Sequence, residues 1–244
     1  MFKRIVAICI AALFAVTGIA IHGRSAQDQA DSCGTVGEVI ERYINAVGGR
    51  PAIEKCTTRV YTGYIVNDVD WEKPPFEVVP LEVYSAVPNR TVWVERKTSG
   101  VARSGFDGST EWRLNADGLE VGSGGPRTKM AWTVNPQAPL NILEYFPGLE
   151  YKGVTTLGDK QYCTLESPEL DRTYYALYFE VDTGLLTRIG YHWYLEDYRE
   201  VDGVLIPHRI SAGRKGGKNT FWFDEITHNL PLDSSVFQIP DSAR

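Results

Sequence analysis

Three histidines outside the N-terminal region, His192, His208 and His228, are the residues best suited to metal binding or acid–base catalysis. They lie on separate segments, and the chain has no His-x-His, His-Glu-x-x-His or Cys-x-x-Cys spacing that would hold metal ligands together locally. Ser104 lacks the Gly-x-Ser-x-Gly turn that exposes a nucleophile, and the glycines of 122–125 do not form a phosphate-binding loop. We therefore predict no enzyme, no metal and no cofactor, with a dispersed pair of carboxylates as the open alternative.

The charge balance limits the class of partner. The 244-residue chain has 25 lysines and arginines against 31 acidic residues, a formal net charge of −6. Nucleic-acid binders usually present a basic face that displaces counterions, so we expect no nucleic-acid partner. With 43% hydrophobic residues the composition is that of a globular protein, and an all-β unit of this length can form one domain.

An export signal is predicted at the N-terminus, where two basic residues precede an apolar run over 5–21. We expect cleavage after Ala26, which gives a signal peptide (1–26) and a single domain (27–244) in the periplasm. Because the apolar run is at the lower length limit for crossing a bilayer, an uncleaved N-terminal anchor stays open as the alternative.

Three cysteines, Cys33, Cys56 and Cys163, remain after the signal peptide. An odd number in an exported protein indicates one disulfide and one leftover thiol. Cys33 and Cys56 flank the first helical segment, so we predict that they form the bridge and that Cys163 is free and buried. The alternative is that all three are reduced core residues.

Hydrophobic periodicity predicts one main helix followed by strands. Apolar residues over 36–47 have the spacing of an amphipathic helix, which Gly48-Gly49 ends. From Thr57 onward the period is two, as in strands. A stretch bounded by prolines, 139–147, is predicted to be a short helix, and the span 122–148 that contains it is predicted to cross one face of the sheet. The expected strands lie near 58–67, 77–87, 90–97, 101–107, 110–115, 150–156, 160–167, 172–181, 185–194, 196–201, 204–212 and 219–228.

Aromatic residues are abundant, with 6 Trp, 13 Tyr and 9 Phe. A large antiparallel sheet favours aromatic residues in any case, so a filled core is one interpretation. One helix is too little to fill the concave side of a dozen strands, however. We therefore favour the interpretation that the aromatic residues line a cavity for an apolar ligand.

A series of turn and strand-end motifs spans nearly all of the predicted domain. In chain order they are Ala46-Val47-Gly48-Gly49 with Pro51-Ala52-Ile53-Glu54-Lys55, Tyr61-Thr62-Gly63, Gly105-Phe106-Asp107-Gly108 with Trp112, Phe179-Glu180-Val181-Asp182-Thr183-Gly184-Leu185-Leu186, Asp197-Tyr198-Arg199-Glu200-Val201-Asp202-Gly203-Val204-Leu205-Ile206-Pro207 and Phe237-Gln238-Ile239-Pro240. Together they resemble the bacterial outer-membrane lipoprotein-sorting (LolA/LolB-like) proteins.

The resemblance implies a mainly β fold, an incomplete and strongly curved antiparallel β-barrel with a helical lid over a hydrophobic cavity. It also implies a periplasmic binding or carrier protein for lipids or lipoprotein acyl chains. Binding would be driven by burial of the chain, at about 0.8 kcal/mol per CH₂. The specific cargo of these proteins is not carried over to this chain, and none of its arginines can be matched to the lid arginine of the true carrier.

Strand alternation then predicts which side chains face the cavity and which belong to the lid, with a filled core as the alternative. The cavity residues would be Val60, Tyr64, Val92, Val94, Trp112, Tyr175, Leu177, Phe179, Ile189, Tyr191, Trp193 and Phe221. The lid residues would be Val39, Ile40, Tyr43, Val47, Leu140, Leu143 and Phe146.

A second hypothesis keeps the fold but assigns it a different role. The protein would be an envelope sensor or interaction module that docks a protein partner through exposed tryptophans such as Trp71, Trp93 or Trp222. Lipid extracted from the purified protein would separate the two hypotheses. In either case we expect a monomer.

Overall fold

The computed structural model describes most of the chain after the predicted signal peptide. The described residues are 33–67, 77–122, 129–170, 175–213 and 219–241. The predicted signal peptide, its cleavage site and Trp71 lie outside them.

The first helix has the sequence signals of its N-terminus. The Thr35 hydroxyl accepts from the Glu38 backbone N–H, and the Glu38 carboxylate accepts from the Thr35 N–H at 2.6 Å, which completes a capping box. Val39, Ile40, Tyr43 and other apolar side chains of this helix are buried, as the periodicity predicts. The helices are α1 (Val36–Ala46), α2 (Arg50–Glu54), α3 (Lys129–Val134) and α4 (Ile142–Tyr145), with 3₁₀ turns at Ala138–Asn141 and Ser234–Phe237.

The strands of the described residues form one open antiparallel sheet of thirteen strands, an incomplete and strongly curved barrel. The prediction of a mainly β fold is therefore confirmed. The strands are β1 (Thr58–Asn67), β2 (Glu77–Ala86), β3 (Arg90–Lys97), β4 (Gly100–Phe106), β5 (Glu111–Asn115), β6 (Gly118–Gly122), β7 (Glu150–Leu157), β8 (Lys160–Glu166), β9 (Ala176–Glu180), β10 (Leu186–Ile189), β11 (Trp193–Val201), β12 (Val204–Ala212) and β13 (Asn219–His228).

Two details of the strand prediction were wrong. The stretch predicted as one strand over 185–194 is divided between β10 and β11, because Gly190 has a φ of +55° and makes a turn. No strand was predicted between 115 and 150, yet residues Gly118–Gly122 form β6, which pairs with β5.

The strand order is β6-β5-β4-β3-β2-β1-β13-β12-β11-β10-β9-β8-β7. The first and last strands are therefore neighbours in the middle, whereas the consecutive strands β6 and β7 are the two edges. Residues 129–149, here called the crossing segment, lie between these edge strands in sequence. They contact the central strands, because the Tyr61 and Ser85 hydroxyls both donate to the Val134 carbonyl. This confirms the predicted crossing.

Apolar side chains pack on both faces of the sheet. On the inner face, α1 and the crossing segment cover a large cluster that includes Tyr61, Val83 and Phe179. On the outer face of β2–β5, the C-terminal residues 232–239 cover a second, smaller cluster. Its buried members are Ala86, Val92, Val94, Trp112 and Phe237.

The structure contains a disulfide, but the predicted pairing of Cys33 with Cys56 is wrong. Cys33 is bonded to Cys163, with 5.8 Å between their Cα atoms, and the buried Cys56 is free. The helix does not bring its two flanking residues together; Cys33 reaches the inward side of β8, while Cys56 packs near β13. The bridge therefore fixes the start of α1 to the sheet.

Candidate functional site

Side chains of β1 and β2 anchor the crossing segment over the inner face. Arg59 Nη2 donates to the Pro136 carbonyl at 3.2 Å, and Ser85 Oγ donates to the Val134 carbonyl at 2.7 Å. Tyr61 Oη, which accepts from Arg59 at 3.2 Å, donates to the same Val134 carbonyl at 3.4 Å. All three side chains are buried. We call Arg59, Tyr61 and Ser85 the anchoring cluster.

In two further hydrogen bonds the crossing segment supplies the donors, which are side-chain amides. Asn135 Nδ2 donates to the Pro88 carbonyl at 2.6 Å, and Gln137 Nε2 donates to the Glu54 carbonyl at 3.0 Å. The segment is thus held by hydrogen bonds to β1 and β2, to the turn between β2 and β3, and to α2. Sequence reasoning missed Arg59, although its even spacing from Tyr61 and Ile65 places it on the inward side of β1.

Arg59 also contacts the buried His228, which lies beside the thiol of Cys56, a pair of residue types that can act as a nucleophile and its base. Arg59 Nε donates to His228 Nε2 at 2.8 Å, while His228 Nδ1 lies 3.6 Å from the Cys56 sulfur and 3.4 Å from Asp202 Oδ2. Since Nε2 accepts a hydrogen bond, the neutral ring carries its proton on Nδ1. It therefore has no lone pair facing Cys56, whose thiol pKa is raised by burial. This arrangement is not an activated Cys–His nucleophile.

Burial and the neighbouring Arg59 charge lower the pKa of His228 to about 4. The unfolded chain, with an ordinary pKa of about 6.5, binds a proton before the folded protein does. We therefore expect stability to fall as the pH drops from 6.5 toward 4, by about 2 kcal/mol between pH 7.5 and pH 5. Urea denaturation at a series of pH values measures this loss. His228→Gln should flatten the dependence, whereas His192→Gln, at an exposed site, should keep it; equal slopes in all three proteins would contradict the assignment.

A cavity of about 510 Å³ opens on the inner side of β3–β6, near one edge of the sheet. Trp93 and Phe106 give it aromatic walls, and Thr91 and Ser104 add hydroxyl groups. Trp93 packs edge-to-face on Phe221 of β13, with 5.6 Å between ring centroids. The cavity therefore adjoins the apolar inner cluster. Its lining residues are Thr91, Trp93, Ser104, Gly105, Phe106, Glu111, Trp112, Arg113, Glu120, Val121 and Gly122.

The predicted cavity residues of the C-terminal half lie mostly on the inner face. Leu177, Phe179 and Ile189 are buried in the inner cluster, and Trp193 and Phe221 pack against it. Tyr175 and Tyr191 instead form a hydroxyl pair, 2.7 Å apart, and Tyr191 is 46% exposed.

In the N-terminal half the positions predicted to face the cavity lie mostly on the outer face. Val92, Val94 and Trp112 pack in the outer cluster, although Trp112 also borders the cavity. Val60 and Tyr64 alternate with the inward Tyr61 and Ile65, so they too face outward. For Val92, Val94 and Trp112 the reason is that the C-terminal residues cover the outer face of β2–β5, so both faces carry apolar side chains there.

Most of the predicted lid residues fill the inner side of the sheet. Val39, Ile40, Tyr43, Val47 and Phe146 are buried there, and Leu140 packs against them. Tyr43 meets Phe179 at 5.4 Å between ring centroids. Leu143, by contrast, is 61% exposed.

The described residues contain neither a membrane-spanning helix nor a metal-binding cluster. No helix in this part of the chain has the length and apolarity to cross a membrane. No group of three or more His, Cys, Asp or Glu side chains there could hold a metal ion.

Comparison with known proteins shows the fold. No family model and no curated protein matches the chain. Among solved structures, a LolA superfamily protein from Nitrosomonas europaea is similar, with a TM-score of 0.52 and 12% identity. The match covers 84% of this chain and 98% of that protein. The chain thus has a LolA-like fold.

Proposed function

We propose that this protein is a periplasmic binding and carrier protein for the acyl chains of lipids or lipoproteins. The proposal includes export by a cleaved signal peptide (1–26), a single domain (27–244) and a monomeric state. The observation that supports it most directly is the cavity beside Trp93. Its position on the concave side of an open LolA-like sheet, next to the inner cluster, suits an acyl chain.

The dimensions and walls of the cavity support an apolar ligand of modest size. Its 510 Å³ falls within the range of roughly 300–1,000 Å³ that is usual for small-molecule sites. Burial against Trp93 and Phe106 would stabilise a bound chain by about 0.8 kcal/mol for each CH₂ removed from water.

The two elements that cover the inner cluster, α1 and the crossing segment, are attached differently. The start of α1 is bonded covalently to β8 through Cys33, and after its end the Val47 carbonyl accepts from the Leu205 N–H of β12 at 2.9 Å. Gly48 lies so close to the Gly203 carbonyl that a Cβ would come within 2.1 Å of the oxygen. Among the described residues, no covalent bond joins the crossing segment to the central strands; hydrogen bonds to its Val134 and Pro136 carbonyls hold it there. In this proposal α1 stays in place, and any opening of the inner cluster comes from movement of the crossing segment.

Trp93→Ala is expected to weaken binding of a fluorescent fatty acid about tenfold, because it removes an indole ring from the wall of the cavity. Fluorescence titration of the purified, delipidated protein measures the dissociation constant. Trp222→Ala is the matched control, since Trp222 stacks on Tyr64 on the outer face. Equal losses in the two variants would place the ligand elsewhere.

Mass spectrometry of a lipid extract from the protein purified under native conditions tests the proposal as a whole. We expect an acyl-chain lipid to copurify. If no lipid is found and the wild-type protein does not bind the fatty acid, the carrier proposal is wrong.

A further inference from the structure

The inner side of β2–β6 changes from apolar to charged in one direction. The strand pairing sets Val83 of β2 beside Trp93, Trp93 beside Ser104, Ser104 beside Arg113, and Arg113 beside Glu120 of the edge strand β6. Val83 is fully buried, whereas Arg113 and Glu120 are exposed. The cavity covers this gradient from Trp93 to Glu120.

The polar end of the cavity contains both signs of charge. Arg113 supplies a guanidinium, and Glu120 and Glu111 supply carboxylates. Arg113 and Glu120 are cross-strand neighbours in water, where such pairs contribute little to stability. Engaging these two exposed side chains with the charges of a ligand therefore costs little. A headgroup that is only anionic would meet two carboxylates, and one that is only cationic would meet Arg113.

We infer that the bound amphiphile has a zwitterionic headgroup and binds in one orientation; this inference rests on the proposed function. Its chain lies against Trp93 and Phe106, and its headgroup lies at the β5–β6 edge. There the anionic part contacts Arg113 and the ammonium part contacts Glu120. An amine-bearing phospholipid has this chemistry.

Three probes with the same single acyl chain test the inference. They are lysophosphatidylethanolamine, which is zwitterionic, lysophosphatidylglycerol, which is anionic, and monoacylglycerol, which is uncharged. Displacement of a fluorescent fatty acid from the delipidated protein measures each affinity. We expect the zwitterionic probe to bind about fivefold more tightly than either of the others.

Glu120→Gln and Arg113→Gln should each abolish most of that preference and leave monoacylglycerol binding unchanged. Arg103→Gln is the matched control, because Arg103 is exposed on the outer face of the neighbouring β4, in register with the outward Val94. It should keep the preference.

The outcomes separate this inference from the proposed function. Equal affinities for all three probes, or tighter binding of the anionic probe, would overturn the headgroup assignment while the carrier proposal stands. Displacement by none of the probes would also overturn the headgroup assignment, whereas only failure to bind the fluorescent fatty acid itself would count against the carrier proposal. A preference that survives Glu120→Gln and Arg113→Gln together would place the headgroup at another part of the surface.

Discussion

Arg59→Ala is expected to lower the free energy of unfolding by about 3 kcal/mol. The change removes hydrogen bonds from Arg59 to His228, Tyr61 and Pro136, and leaves buried acceptors without a donor. It also opens space in a buried site, since Arg59 is 4% exposed. Urea denaturation measures the loss, and amide hydrogen exchange of the crossing segment should increase with it.

Arg96→Ala is the control for this prediction. Arg96 is an exposed arginine that bonds Glu82 across the surface, so its loss should cost less than about 1 kcal/mol. If Arg59→Ala unfolds at the same urea concentration as Arg96→Ala, the anchoring cluster contributes little to stability. If stability falls but exchange in the crossing segment is unchanged, Arg59 supports the sheet rather than that segment.

The second large effect concerns the disulfide. The double variant Cys33→Ser/Cys163→Ser is expected to lose about 3–5 kcal/mol of stability, because the bridge closes a long loop with a sequence separation of 130. Reduction of the wild-type protein should give a similar loss. Denaturation of oxidised, reduced and variant proteins makes the comparison.

Cys56→Ser separates this bridge from the pairing that the sequence suggested. It removes a buried free thiol but no covalent bond, so the protein should become no more sensitive to reducing agent. Peptide mapping should recover Cys33 linked to Cys163. A Cys33–Cys56 peptide, or a Cys56→Ser variant that has lost its response to reduction, would contradict the structure.

The sequence was most informative where one local pattern determines the structure. The α1 periodicity and its Gly-Gly end act within a few residues, and the hairpin turns between β-branched stretches do the same. The inward and outward positions of the strands were less predictable, because a strand covered on both faces has no polar side that would identify its outward residues. Val92 and Val94 pack in the outer cluster, while Thr91 and Trp93, which alternate with them, face inward.

Contacts between distant segments could not be predicted from spacing. Arg59 meets His228 across 169 residues, and Cys33 meets Cys163 across 130. Nothing adjacent to these residues in the chain indicates their partners. The cavity at the β3–β6 edge was also missed in position, although its aromatic character was anticipated, because the sequence does not indicate how far the helices extend over the sheet.

The pairing of β1 with β13 has a consequence for how the chain folds. Each half of the sheet is a series of strands that pair mostly with their sequence neighbours, but the two halves join only through strands at opposite ends of the described chain. Contacts of such high sequence separation form slowly, because the loop-closure entropy comes before the stabilising interactions. Until β13 arrives, the pairing edge of β1 is exposed to other chains. We therefore expect the nascent protein to depend on holding factors until its last strand is available.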